Sequence, residues 1–345
     1  MNRFKRGAIG GRFLLLALII LGLFMAYTGY WFYARSQIIA STEAWIDEQG
    51  AAGYVITRER LNVGGFPYRF EVVIDRPHIE APDTEGGWTA DAERLTAHAL
   101  PYDFSRWIVD VGTPIMVDWP TPVRSVHRVE ATHARISLSG NGRSTQRLGV
   151  ELDGLNILTL EGEPRPVRSA ERMRLVAESN DDGIMQVRAA FGEIRLNPEF
   201  GDGRLREAFG EDVALAQLGL SIQHWPELAR NGDAGEWARA RGRMVILDTR
   251  LDWGDLDISA EGDITLDGQL RPEGRLSLYF LDPGLVADRL ESSGVISADD
   301  ARALRLLSQA APRDERGSAL PLLLRNGGIY LGPVRLGETG SLAEN

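Results

Sequence analysis

From Phe13 to Tyr33 the chain runs for 21 residues, FLLLALIILGLFMAYTGYWFY, without one charged side chain. Wound as a helix rising about 1.5 Å per residue, such a run matches the roughly 30 Å hydrocarbon core of a bilayer. It reads as a transmembrane helix. Arg3, Lys5, Arg6 and Arg12 precede it and only Arg35 follows closely, which places the N-terminus in the cytoplasm and the body across the membrane. Tyr27, Tyr30, Trp31, Phe32 and Tyr33 suit an aromatic belt at the far interface. A cleaved signal peptide would carry a shorter apolar region, about 7–15 residues, before small residues at the cut. This run is longer and ends in YWFYARS, and no cysteine follows for lipoprotein attachment. A retained anchor is the better fit.

After the anchor, SQIIASTEAWIDEQG keeps a near-helical spacing of apolar residues and meets its stops at Gly50 and Gly53. This segment either prolongs the membrane helix or packs as a short separate one. From Gly53 onward the period changes to two. Candidate strands fall at 53–62, 66–75, 88–100, 105–118, 129–139, 146–160, 168–178 and 184–196, separated by clusters of Gly, Pro, Asn and Asp. Such spacing predicts an antiparallel β meander.

A mixed stretch begins near Asn197. REAFGEDVALAQLG reads as a short helix running into a strand, and PELARNGDAGEWARARG opens a helix with Pro226. Strands resume at RMVILDTRLDW. In GDLDISAEGDITLDG, Leu256, Ile258, Ile264 and Leu266 alternate with polar residues, one face dry and one wet. RPEGRLSLYF continues the meander. Asp282-Pro283 and Ser297 with Asp300 cap two helices, Asn326-Gly327 turns a closing hairpin, and GETGSLAEN is expected to fray.

The predicted organisation is therefore a basic N-terminus (1–12), the membrane helix (13–33), a juxtamembrane helix (34–52), a first β-rich segment (53–196), a mixed connection (197–240), a second β-rich segment with two helices (241–337) and a tail (338–345). The fold class is mainly β, α+β in detail, with meander sheets forming a groove or a sandwich.

One stretch asks what it faces. In LNVGGFPYRFEVVIDRP, Phe66, Tyr68, Phe70, Val72 and Ile74 fall on one side of a continuous strand. Burying each contributes roughly 1.5–3 kcal/mol, so such a face does not stay bare in water. Gly64-Gly65 permits a sharp turn, and Pro67 restricts ladder pairing to a strand start or an edge. The stretch is either a turn feeding a core strand or a strand lining an apolar groove shared with Leu256, Ile258, Ile264 and Leu266.

Composition narrows the chemistry. Cysteine is absent, which removes disulfides, thiolate catalysis and Cys-ligated metals. The net charge is −11, and the four basic residues of the first twelve leave −15 for the rest. An acidic body repels phosphate backbones, which argues against nucleic acid as a partner. Lys5 is the single lysine, so Schiff-base and P-loop lysine chemistry is removed too. His78, His98, His127, His133 and His224 show no metal-ligand spacing, and Asp252, Asp255 and Asp257 lack the pattern of a calcium loop. No nucleophile elbow or dinucleotide fingerprint appears. The chain calls for no cofactor and nominates no catalytic residue.

The anchor, the helix with Trp45, the GGFPYRF and GGWTADAERL strands and the run LDWGDLDISAEGDITLDGQLRPEGRL together resemble the bacterial envelope proteins of domain-of-unknown-function family 2125. The resemblance covers nearly all of the body and brings no active-site residue. More distantly, an anchor followed by repeated G-x-I-x-L-x-G strands is similar to the AsmA-like group, whose β-grooves are linked to phospholipid movement. The implied protein is a non-enzymatic, single-pass inner-membrane protein of Gram-negative bacteria with a periplasmic body, serving envelope maintenance. Its partners would be the bilayer and either phospholipid or another apolar ligand in a groove, or other envelope proteins bound by a closed β core. An enzyme is the least favoured class.

Overall fold

The computed structural model describes residues 7–120, 125–140 and 145–342; residues 1–6 of the basic N-terminus and the last three of the expected tail lie outside them. One helix, α1 (Gly7–Ala51), carries the uncharged run and continues unbroken through the second helical segment expected at 34–52. It stops where the sequence asks it to. Gly53 takes a φ of 98°, and the Tyr54 amide returns to the Gln49 carbonyl at 3.0 Å.

The chain then forms β1 (Val55–Thr57), β2 (Arg60–Gly64), β3 (Phe70–Asp75), β4 (His78–Glu80), β5 (Thr89–Leu100), β6 (Asp103–Pro120), β7 (Val126–Ala131), β8 (His133–Gly140), β9 (Thr145–Glu161), β10 (Val167–Ser179) and β11 (Met185–Leu196). There follow α2 (Arg204–Phe209), β12 (Asp212–Ile222), α3 (Trp225–Asn231), α4 (Ala234–Arg239), β13 (Met244–Trp253), β14 (Leu256–Leu266) and β15 (Pro272–Phe280). The last elements are α5 (Pro283–Ser292), α6 (Ala298–Ala310), β16 (Arg313–Asp314), β17 (Gly317–Arg325), β18 (Gly328–Leu331) and β19 (Val334–Glu338).

Among the described residues all 19 strands join in one sheet. Neighbours in sequence are mostly neighbours in space, and the pairings from β5 to β15 are antiparallel throughout. The strand expected at 129–139 is broken at Thr132, whose amide turns to the Asp153 carbonyl at 2.9 Å. β7 and β8 therefore act as two halves of one strand between β6 and β9. β12, the strand within the mixed connection expected at 197–240, pairs with β11 on one side and β13 on the other, so the earlier and later β-rich stretches share one sheet. Among the described residues β2 pairs only with β3 and β19 only with β18, so the sheet stays open at both edges.

The two faces differ as period two requires. One carries cross-strand ion pairs: Arg94 with Asp75 at 2.8 Å, Arg135 with Asp110 at 2.8 Å, Arg250 with Asp257 at 2.7 Å and Arg316 with Glu261 at 2.7 Å. Exposed pairs of this kind each contribute about 0–1 kcal/mol, so they mark the wet face more than they hold it. The other face is apolar and carries the packing. At the C-terminal end α5 and α6 cover it, placing Val286, Ala287 and Leu304 against Phe280 and Leu320. The caps are the expected ones: Asp282 accepts from the Leu285 amide at 3.0 Å and Ser297 from the Asp300 amide at 3.2 Å.

The structure corrects two expectations. β3 begins at Phe70 and not at residue 66, because Gly65, at a φ of 95°, bends the chain into a turn in which the Tyr68 and Arg69 amides both return to its carbonyl at 3.1 Å. The tail does not fray at once: the Thr339 amide reaches Gly327 at 2.7 Å and the Leu342 amide reaches Leu270 at 3.0 Å.

Candidate functional site

The register of the ladder builds one continuous apolar row. Directly paired residues run from Leu61 through Ile74, Leu95, Val111, Ala134 and Leu152 to Met173, and on through Phe191, Ala216, Leu251 and Ile258 to Phe280. A second row runs parallel to it through Trp107, Leu138, Leu148, Ala177, Val187, Leu220 and Ile246. Each strand supplies every other residue, which is why alternation alone could mark the members but not align them.

What covers the rows changes along the sheet. At the N-terminal end α1 lies on β2 and β3, where Trp31, Ala34, Val63, Phe70, Val72 and Ala97 form a buried cluster. At the C-terminal end α5 and α6 do the same work. The middle cluster, Leu155, Ala170, Ile194 and Val213 with Leu152, Phe191, Ala216 and Leu251 around them, draws on strands and their ends without a helix residue. Leu152, Met173, Phe191 and Ala216 are each only half-buried, and Leu218 is 39% exposed.

Beside this middle section lies a cavity of about 360 Å³, within the range of small-ligand pockets, walled by Val167, Ile194, Leu196, Val213, Leu251 and Trp253. Phe200 and Leu205, from the stretch around α2, form its rim and are 44% and 46% exposed. Its walls are mostly hydrocarbon, suited to an alkyl chain or ring; the charged residues in its lining, Asp202 and Arg206, are already engaged, Asp202 by Arg204 at 2.5 Å and Arg206 by the Pro198 carbonyl at 2.5 Å.

The residues nominated from sequence are distributed over this face. Phe70 and Val72 are buried at 0% and 6% exposure, and Ile74 is half-buried beside them. Phe66 and Tyr68 lie in the turn before β3; Phe66 packs on α1 and Tyr68 is 83% exposed. Leu256 and Ile258 join the C-terminal cluster, while Ile264 and Leu266 are half-buried opposite Gly274 and Pro272. Ile74 and Ile258 thus share a row, yet they sit in separate clusters under different helices. The cavity residues of β10–β13 and the rim residues near α2 went unnominated. The signal for them was present in the alternation of β10, β11 and β12; the missing piece was the register.

The polar residues singled out from sequence do not converge. His127 is buried against Thr159, at 3.4 Å, and His78 meets Asp91 at 2.8 Å. Burial, aided by the charge of Arg165, lowers the pKa of His127. Arg250 and Arg289 hold Asp257 and Asp255, at 2.7 and 2.5 Å. Among the described residues no three His, Asp or Glu side chains gather into a group able to hold a metal ion.

α1 is the one helix among the described residues long and apolar enough to cross a membrane. No curated protein and no solved structure matches the chain. A family does: residues 31–339 match the family described as "Uncharacterized protein conserved in bacteria (DUF2125)". The match takes in the C-terminal half of α1, all of the strands and all of the other helices. The chain belongs to the DUF2125 family of bacterial proteins.

Proposed function

We propose that this protein is a non-enzymatic, single-pass component of the bacterial inner membrane whose periplasmic body binds phospholipid acyl chains, or a similar apolar ligand, along the open middle of its sheet. One observation carries the reading. The apolar rows run the width of the sheet, yet among the described residues the helix-covered clusters lie at the two ends, leaving Leu152, Met173, Phe191 and Ala216 half-buried beside a mostly apolar cavity. A large apolar surface of this kind marks an interaction site more often than a resting surface. The charge bias around α1 supports the orientation, and the acidic body supports a partner other than nucleic acid. The likeness in strand texture to AsmA-like proteins points the same way.

The test uses the full chain in phosphatidylglycerol–phosphatidylethanolamine vesicles doped with a phospholipid that carries a photoactivatable diazirine in one acyl chain. Adducts on β10–β13, at Phe191 or Leu251 above all, are the expected result. Adducts on α1 with none between residues 145 and 266 would overturn the reading and leave a closed β core that binds proteins or nothing.

A further inference from the structure

Two loops of the sheet are bonded to the part of α1 that belongs to the membrane. Tyr27 donates its hydroxyl to the Pro67 carbonyl, and Tyr30 donates to the Pro101 carbonyl at 2.7 Å. Phe66 packs its ring against Phe24, Tyr27, Trp31 and Phe32, with centroids 5.3–6.3 Å apart. Trp31 donates to the Arg69 carbonyl at 3.4 Å. The loop before β3 and the loop between β5 and β6 therefore lie level with residues 24–31 of the uncharged run.

Length decides where that level is. If Tyr27 and the residues after it stood in water with the body, only Phe13–Ala26 would remain uncharged on the near side, and those residues span about 21 Å at 1.5 Å each. A hydrocarbon core of about 30 Å needs some 20 residues, which brings Tyr27–Phe32 to its far boundary. The loops bonded to them come too. Their composition fits: Tyr68 and Tyr102 are 83% and 82% exposed, with Leu100 and Phe104 exposed at 43% and 40% beside them. Pro67 and Pro101 have no amide to satisfy, and the tyrosines of α1 take their carbonyls, which lowers the cost of leaving water. Arg69 and Arg106 stand at the bases of the loops, each paired with an acid, Glu71 at 2.6 Å and Asp103 at 3.6 Å, so the loops are charge-balanced and their attraction to lipid is apolar.

We infer that the loops at residues 64–69 and 100–104 insert their aromatic tips into the far leaflet of the same bilayer that α1 spans. This rests on α1 crossing the membrane as proposed above. The consequence is a sheet whose apolar rows begin at the lipid under the cover of α1, around Phe70 and Ala99, and run from there toward the half-buried middle of the sheet.

Because the natural chain has no cysteine, single-cysteine variants give clean labels. Leu18→Cys, Tyr68→Cys, Tyr102→Cys and Glu163→Cys, each carrying an environment-sensitive fluorophore, are placed as full chains in phosphatidylcholine vesicles. Glu163 lies exposed beyond the opposite end of β9. Replacing the lipids with chain-brominated ones should quench the labels at 18, 68 and 102 and leave that at 163 unchanged. Quenching at 18 with none at 68 and 102 overturns the insertion and keeps the span; no quenching at 18 overturns both. The two tyrosines are more than four-fifths exposed, so their replacement removes no packing.

Discussion

The indole of Trp31 on α1 lies stacked on the ring of Phe70 at the start of β3, with centroids 5.0 Å and planes 14° apart. Phe70 has no exposed surface, and its other side meets Phe104 at 5.4 Å. Offset stacks of this kind add about 0.5–1.5 kcal/mol to the burial itself. The long apolar helix α1 is thus part of the core of the body, joined again by Arg35, which donates to the Val63 carbonyl at 2.7 Å. That contact covers the oily side of the Leu61–Pro77 stretch with the chain's own long apolar helix.

Trp31→Ala and Phe70→Ala should each cost about 3–5 kcal/mol, the range for emptying a buried aromatic site. Because the rings touch, the double variant should cost less than the sum. Denaturant unfolding of the purified full chain measures all three; additive losses would mean that the stack does not couple helix to sheet.

Charge placed on the two parts of the apolar face should act in opposite ways. Leu155, 6% exposed, cannot shed an introduced carboxylate to water, so Leu155→Asp should lose several kcal/mol and much of the fold. Leu218, on the same face but 39% exposed, can, and Leu218→Asp should stay within about 1 kcal/mol of the natural chain. Equal unfolding of both, seen by circular dichroism, would mean that the middle of the sheet is closed.

Acid should destabilise the protein in two steps. Burial lowers the pKa of His127 below its ordinary 6.5, so its contribution is full above 6.5 and is lost as the pH falls from there toward the lowered folded value. Hydrogen bonds from Arg316 and then Tyr279 lower the Glu261 carboxyl below 4.5, and Arg271 lowers Asp267 below 3.8; stability from these is present above those values and is lost as the pH falls further. Thermal midpoints measured from pH 8 to 3 should therefore be flat, then decline gently, then steeply. His127→Gln should remove the first decline and leave the second.

Calcium at millimolar concentration should leave the thermal midpoint unmoved, as should a chelator. Two of the three carboxylates in DWGDLD are already neutralised by arginine, Asp255 by Arg289 and Asp257 by Arg250, and a cation would have to displace both. A rise of several degrees would establish a site there.

Alkaline phosphatase fused after Asn345 should be active in a Gram-negative host, and a reporter that matures only in the cytoplasm should be silent at the same position. The opposite pattern would reverse the orientation drawn from Arg3, Lys5, Arg6 and Arg12.

Much of this molecule is written locally. The uncharged run from Phe13 to Tyr33, the alternation that separates Ile258 from Asp257, the caps at Asp282 and Ser297 and the Asn326-Gly327 turn each depend on neighbours within a few residues, so composition and period suffice to place them. The boundary errors have the same local origin in reverse: Phe66 and Tyr68 keep the right parity for β3, but Gly65 and Pro67 spend those residues on a turn. The tertiary structure alone decided who covers whom. That Leu61 and Phe280 end one row follows from eleven successive pairings, and that Trp31 rather than a ligand lies over Phe70 follows from where α1 settles on the sheet. Period two states which side chains share a face of their own strand; it carries no information about register with strands far along the chain, or about which helix returns to cover them.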